Sequence, residues 1–336
     1  MNRKIKRILV IIGLIGWWFF LLQNIDLAMA KDPEYPTKPI EFYINMSAGG
    51  STDIASRAFI DAVNKHLDQP IIPINKPGGS GAIAAMAVKT AKPDGYTLGC
   101  ITTSTAFVVP FSEGAPYKDH TGFTWITNYG TYVYPLMVRG DAPWKNWKEF
   151  IEWARKNPRA AKFGTTGGKT VDYKALVMWQ VEKQEKVEFT YLAFKGSPEV
   201  LSAILGGHIT MYGSTVDTST LAYVKEEKLR ILAYTGANKV PGYEEFPSTK
   251  ELYRFEVPDL LAVYGPKGLP GYVVKKLEDA CAKAIRDPNY IKMMNLMNMP
   301  VLYMDRVTLV KYTDEMFSRT AKIYEKVKAE EAKEKK

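Results

Sequence analysis

Short apolar, β-branched runs alternate with amphipathic stretches along most of this chain, and such alternation builds a sheet of parallel strands flanked by helices. Residues 40–45 read as a strand, a glycine loop follows, and Ile54, Ala58, Ala62 and Val63 mark a helix over 54–67. A strand at 71–74, a helix at 82–91 and a strand at 96–101, entered through Pro93-Asp94-Gly95, continue the pattern, with a further strand at 124–129. From about Tyr134 the alternation restarts, with strands at 135–138, 161–164, 189–193, 209–212 and 229–234. Helices at 147–156, 171–183 and 198–205 separate them, and a Gly- and Pro-rich stretch at 236–258 leads to helices near 272–285, 289–298 and 307–327. A chain of 336 residues exceeds one ordinary core. Two α/β units with a late helical return imply lobes joined by crossing strands. The cleft would then lie between the carboxyl ends of two sheets, where open α/β folds bind ligands.

The N-terminus carries Arg3, Lys4, Lys6 and Arg7, an apolar run from Ile8 to Leu22, and small residues in Ala28-Met29-Ala30. That order is a secretory signal peptide over 1–30, cleaved after Ala30, which places the mature protein in the periplasm. The run is shorter than the roughly 20 residues a spanning helix needs, so an uncleaved anchor fits less well. Removing four basic residues and one acidic residue takes the formal charge from +9 to +6. This excess suits anionic ligands, and the scattered lysines and arginines do not form the clustered footprint of a nucleic-acid binder. Cys100 and Cys281 lie in apolar runs and are expected as two separate buried thiols, although export would permit a disulfide.

Three loops combine glycines with hydroxyls where a strand hands over to a helix or ends. Residues 46–53 read MSAGGSTD: Gly49 and Gly50 allow a tight turn, and Ala48, Ser51, Thr52 and Asp53 complete a helix start whose amides could take an anion. A plain cap made by Thr52 or Asp53 is the competing reading. Thr102, Thr103, Ser104 and Thr105 end the third strand and would suit hydrogen bonds to a carboxylate, or form a solvated loop. Residues 163–170 read FGTTGGKT, near a phosphate-binding P-loop, but the required first glycine falls at Phe163. We read Thr165, Thr166, Gly167, Lys169 and Thr170 as a second anion-receiving loop, with Lys169 as a charge partner. Residues 79–84 fit a loose dinucleotide fingerprint, but no acidic residue closes the next strand, so packing explains these glycines. His66, His120 and His208 are isolated and no nucleophile elbow occurs, so neither a metal site nor a catalytic constellation is indicated. An exported hydrolase acting on a carboxylate-bearing substrate is the rival reading, and it would need an activated nucleophile.

Several segments, taken in order, resemble the tripartite tricarboxylate transporter substrate-binding family, the Bug receptors. They are YPTKPI at 35–40, AGGSTD at 48–53, NKPGGSG at 75–81, KPDGYTL at 92–98, FKGSPEVLSAILGGHITM at 194–211, LAYTG at 232–236 and GPKG at 265–268. The resemblance implies a two-lobe periplasmic-binding-protein (Venus-flytrap) α/β fold with hinge strands. Lobe one would comprise 31–133 plus 241–336, and lobe two 134–240. It implies a monomer that needs no cofactor, captures a small organic anion and passes it to membrane permease subunits of a tripartite transporter or to a sensor. The lobe-one loops at 48–53 and 102–105 would grip a carboxylate, and the loop at 165–170, Phe194, Tyr212 and Ser214 would close on it. Lys169 stands where the family usually has a glycine, and Tyr212-Gly213-Ser214 lacks the Asp that amino-acid-binding members tend to carry. The expected ligand is therefore an anion without a positive group: a dicarboxylate, a tricarboxylate or an aromatic carboxylate.

Overall fold

The structure is a computed structural model that describes residues 32–112, 114–165, 173–194, 197–213, 218–235, 245–254 and 259–334. Two five-stranded sheets organise it. The first uses β1 (Ile40–Ile44), β2 (Ile71–Asn75), β3 (Thr97–Thr102), β4 (Phe123–Gly130) and β10 (Leu261–Pro266) in the order β2-β1-β3-β10-β4. The second uses β5 (Tyr134–Arg139), β6 (Ala161–Thr165), β7 (Phe189–Ala193), β8 (Met211–Tyr212) and β9 (Leu229–Thr235) in the order β7-β6-β8-β5-β9. Around the first lie α1 (Ser51–Asn64) and α2 (Ala82–Lys89), and within the second half α3 (Trp147–Lys156), α4 (Tyr173–Glu185), α5 (Ser197–Leu205) and α6 (Thr218–Lys225). Then come α7 (Thr249–Tyr253), α8 (Gly271–Ala284), α9 (Pro288–Leu296) and α10 (Arg306–Glu334).

The strands behave as their patterns require. In β1, Ile40, Phe42 and Ile44 are buried while Glu41 is exposed. The central β10 is buried along its whole length, so its run LAVYGP shows no alternation. Its pattern carries no strand signal of its own, yet it forms the strand between β3 and β4. It runs antiparallel to both, pairing Leu261 with Thr102 and with Gly130. The second sheet is likewise mixed, since β5 is antiparallel to β8 and β9 while β6 is parallel to β7 and β8. Neither sheet is the all-parallel one the alternation suggested. The difference arises where the chain crosses between them.

Two short helices were also unforeseen. The first is α6; the second, α7, is opened by a capping box in which the Ser248 hydroxyl accepts the Glu251 N–H and the Glu251 carboxylate accepts the Ser248 N–H. Residues 245–254 pack on the second sheet: Tyr234 N–H donates to Pro247 O, and Trp147 Nε1–H donates to the Tyr253 hydroxyl. The hydroxyl run continues into a π-turn at Ser104–Val108 and a 3-10 turn at Val109–Phe111 instead of a loop. Cys100 and Cys281 are both buried and free, and burial pushes the Cys281 thiol up to about 12. No helix among the described residues is long and apolar enough to cross a membrane.

Candidate functional site

Strand directions set where ligand chemistry can gather. The carboxyl ends of β1, β3 and β4 share one edge of the first sheet with the start of β10. The carboxyl ends of β6, β7, β8 and β9 share one edge of the second with the start of β5. Only Thr131, Tyr132 and Val133 separate β4 from β5, so the chain steps directly from one edge to the other.

At the first edge, the backbone of Ser47 to Gly50 is exposed, Gly49 has φ +78°, and Gly50 caps α1 with no side-chain bond. The first intrahelical bond runs from Ile54 N–H to Gly50 O, which leaves the amides of Ser51, Thr52 and Asp53 ahead of the helical ladder. These amides carry the positive end of the helix dipole. The side chains behave differently from what the sequence suggested. The Asp53 carboxylate accepts the Gly49 N–H (2.9 Å), the Arg57 Nε–H (2.8 Å) and an Asn75 amide N–H (2.9 Å). Burial alone would raise its pKa, but the Gly49, Asn75 and Arg57 bonds outweigh burial and hold it below the ordinary value. Asp53 therefore braces the loop and presents no bare charge to an anion. Thr52 is buried, and its hydroxyl pairs with the Tyr132 hydroxyl at 2.5 Å. Of the six residues at 48–53, Ala48, Gly49 and Gly50 are exposed and Ser51 is half-buried, but the Gly49 N–H is already given to Asp53 and the Gly50 N–H to Ser47 O (3.4 Å).

The second hydroxyl run is committed inward in the same way. Thr105 is fully buried: its hydroxyl accepts from Asn45 Nδ2 (3.0 Å), donates to Ser80 O (2.7 Å) and lies 3.1 Å from the Thr102 hydroxyl. Thr103 is equally buried; its N–H donates to Asp259 Oδ1 (3.1 Å) and its hydroxyl accepts the Leu260 N–H (2.6 Å). Ser104 alone of the four is half exposed. Thr103 ties the end of β3 to the chain returning at Asp259–Leu260, and Thr105 ties the turn after β3 to Asn45 and Ser80.

At the second edge, Thr165 is buried and its carbonyl accepts the Phe194 N–H (2.9 Å), while Gly213 N–H donates to Gly164 O (3.0 Å). Phe194 is half buried, and Tyr212 is wholly enclosed by a core that includes Val200 and Ile204, so that ring packs. Thr166, Gly167, Lys169, Thr170 and Ser214 lie outside the described residues. Tyr129 also packs, stacked on Phe59 at 4.2 Å.

Sequence reasoning missed a polar cluster between the two edges. Tyr134, the first residue of β5, donates its hydroxyl to Asp259. Lys174, on the first turn of α4, holds its ammonium 4.7 Å from the centre of the Tyr134 ring and is only 8% exposed. Burial pushes the Asp259 carboxyl upward against the opposing pull of Thr103, Tyr134 and the Lys174 charge, with a net rise. Nothing in the sequence around either residue marks it. Among the described residues, no group of three or more His, Cys, Asp or Glu side chains could hold a metal ion.

The family model described as the tripartite tricarboxylate transporter family receptor matches residues 55–329. The UPF0065 protein of the gbd 5′ region of Cupriavidus necator is 32% identical over 302 residues, which span 89% of this chain and 90% of that protein. A TctC solute-binding protein from Polaromonas, solved without ligand, superposes with a TM-score of 0.74 at 29% identity, covering 87% of this chain and 100% of that one. MatC from Rhodopseudomonas palustris, solved with bound malate, gives a TM-score of 0.71 at 23% identity over 86% of this chain and 100% of its own, a likeness of fold.

Proposed function

The chain belongs to the tripartite tricarboxylate transporter receptor family, and on that footing we propose that it captures a small organic anion without a positive group for delivery to the membrane subunits of such a transporter. Members of this family are periplasmic solute-binding proteins. The ligand class is a dicarboxylate, a tricarboxylate or an aromatic carboxylate. The observation that carries this reading is the start of α1, where the amides of Ser51, Thr52 and Asp53, ahead of the helical ladder and without a side-chain cap, meet no free carboxylate because Asp53 is already paired with Arg57. Micromolar binding requires about 8 kcal/mol, and a few hydrogen bonds to a charged group, at roughly 1.5–3 kcal/mol each, suffice. The malate held by MatC, a relative in fold, supports a carboxylate.

In this reading Ala48, Ser51 and Ser104 receive the carboxylate from one lobe, beside the exposed turn at Gly49 and Gly50 whose own N–H groups are bonded within the loop. The loop at 165–170 with Lys169, Phe194 and Ser214 closes from the other. Lobe two begins at Tyr134, and because 245–254 packs on the second sheet, its end lies nearer 254 than 240. The leader ends at Ala30, and the mature chain works as a monomer. A thermal-shift screen of the mature protein against succinate, citrate, benzoate and glutamate tests the ligand class. At least one of the first three should raise the melting temperature. A response to glutamate alone would show that the site accepts an ammonium and that the class is wrong.

A further inference from the structure

We infer that Tyr132 is a positioning residue for the carboxylate site: from the segment that crosses between the two sheets, its hydroxyl holds Thr52 and so aims the amides at the start of α1. The inference rests on the receptor reading above. Two hydroxyl pairs, one helical turn apart, pin α1 to the end of β4 and the segment after it. Ser56 pairs with Tyr129 at 2.8 Å, and Thr52 pairs with Tyr132 at 2.5 Å. All four residues are at most 6% exposed. The two pairs differ in what stands behind them. Tyr129 lies in β4, where its ring stacks on Phe59 and its carbonyl accepts the Tyr290 hydroxyl (2.6 Å), so it belongs wholly to the first sheet and its helices. Tyr132 lies beyond the end of β4, in the crossing itself.

Tyr132 packs in the core that includes Phe42 of β1 and Phe59 of α1, whereas the next residue, Val133, packs with Met137, Tyr212 and Ile231 of the second sheet. The Tyr132 ring also stacks on that of Tyr134, the first residue of β5, at 5.9 Å and 14°. A shift of the second sheet against the first therefore reaches the Tyr132 hydroxyl through one peptide unit and one ring contact. Among the described residues, neither the Thr52 nor the Tyr132 hydroxyl has another hydrogen-bond partner. Thr52 carries one of the three amides that stand ahead of the helical ladder. Charge-assisted bonds to a carboxylate are strong when the donor points at the acceptor and weaken steeply when it turns away. An amide whose residue is already held costs a ligand less to order. The arrangement in which Tyr132 holds Thr52 is thus the one that grips an anion best, and a ligand that favours it also settles the crossing segment.

Titration calorimetry of the mature protein tests this with succinate, citrate and benzoate as probes. Y132F and T52V should keep the far-UV spectrum and bind the probe that wild type prefers about tenfold more weakly. The double variant should be no weaker than either single one, because both changes remove the same contact. T52S keeps the hydroxyl and should bind within about threefold of wild type, as should Y129F, which deletes the neighbouring pair but leaves the crossing untouched. In hydrogen exchange, saturating probe should protect residues 131–136 of wild type and protect them far less in Y132F or T52V. The wild-type exchange requires no variant to fold. Y129F as weak as Y132F would make both pairs simple pins of the helix. That result, wild-type affinity in folded Y132F, additive losses in the double variant, or an absence of protection in wild type would each overturn the inference while leaving the receptor reading intact. Failure of wild type to bind any of the three probes would remove the reading and the inference together.

Discussion

Asp53 and Asp259 are both buried carboxylates, and their surroundings push them in opposite directions. Asp53 is held below its ordinary value, so its stabilisation is present above the unfolded pKa of about 3.9 and is lost as pH falls through the lower folded value. D53N should therefore cost roughly 1–3 kcal/mol in urea unfolding at pH 7, and the difference should shrink as the pH is taken below 3.9. An equal loss at both pH values would mean that geometry, not charge, is what the residue supplies. Ser51 allows a cleaner test of the anion site. It follows an extended Gly50 and is the first residue of α1, a position that accepts proline. S51P removes one amide donor and keeps the helix, so it should weaken carboxylate binding about 10- to 100-fold while S51A, which removes only the hydroxyl, costs less. Equal loss in the two variants, measured by calorimetry, would move the contact from the backbone to the side chain. The sequence pointed to both loops but not to which atoms face outward. Thr52, Thr103 and Thr105 spend their hydroxyls on Tyr132, Leu260 and Asn45. Those partners lie far away along the chain, so no local pattern announces them. Lys174 and Asp259 lie far apart along the chain, and only the fold brings both against Tyr134.

Elements with strong periodicity were legible, and those without it were not. The helix over 147–156 shows a clean apolar face of Trp147, Phe150, Ile151 and Ala154, and its bounds match the sequence reading. In contrast, β10 is buried on both faces and only pairs with β3 and β4 once the chain has returned from the second sheet, so no alternation could reveal it. The capping box at Ser248 was a readable signal for α7 that the surrounding Gly- and Pro-rich composition obscured. How the turns lock the elements can be tested at two glycines with positive φ. Gly49 (φ +78°) has open space where a Cβ would sit, whereas at Gly81 (φ +90°) a Cβ would run into the Thr105 side chain and lie 2.7 Å from Asn45 Nδ2. G49A should cost about 1 kcal/mol, the penalty of a left-handed backbone alone. G81A must also disrupt the Asn45–Thr105 bond that joins the loop after β1 to the turn after β3, and should cost about 2–4 kcal/mol. Equal costs in urea unfolding would show that this junction gives way freely.

Across the whole molecule, the two sheets share more than a pair of linkers. One continuous buried cluster contains Ile101, Phe107 and Trp125 beside the first sheet together with Leu136, Trp147 and Phe163 of the second half. The crossing chain is bonded on both sides, through Tyr134 to Asp259 and through Leu260 to Thr103. Residues from Tyr35 onward form a single compact unit. Separating the halves would expose this shared apolar surface and strand a buried carboxylate, so neither half has an inexpensive way to melt first. Calorimetry of the mature, ligand-free protein should then show one transition with calorimetric and van't Hoff enthalpies in agreement. A carboxylate at 100 times its dissociation constant adds about 2.7 kcal/mol to the native state, and should move that single transition upward without splitting it. Two resolved peaks, with only one moved by ligand, would mean that the halves unfold independently and that the ligand is held within one of them.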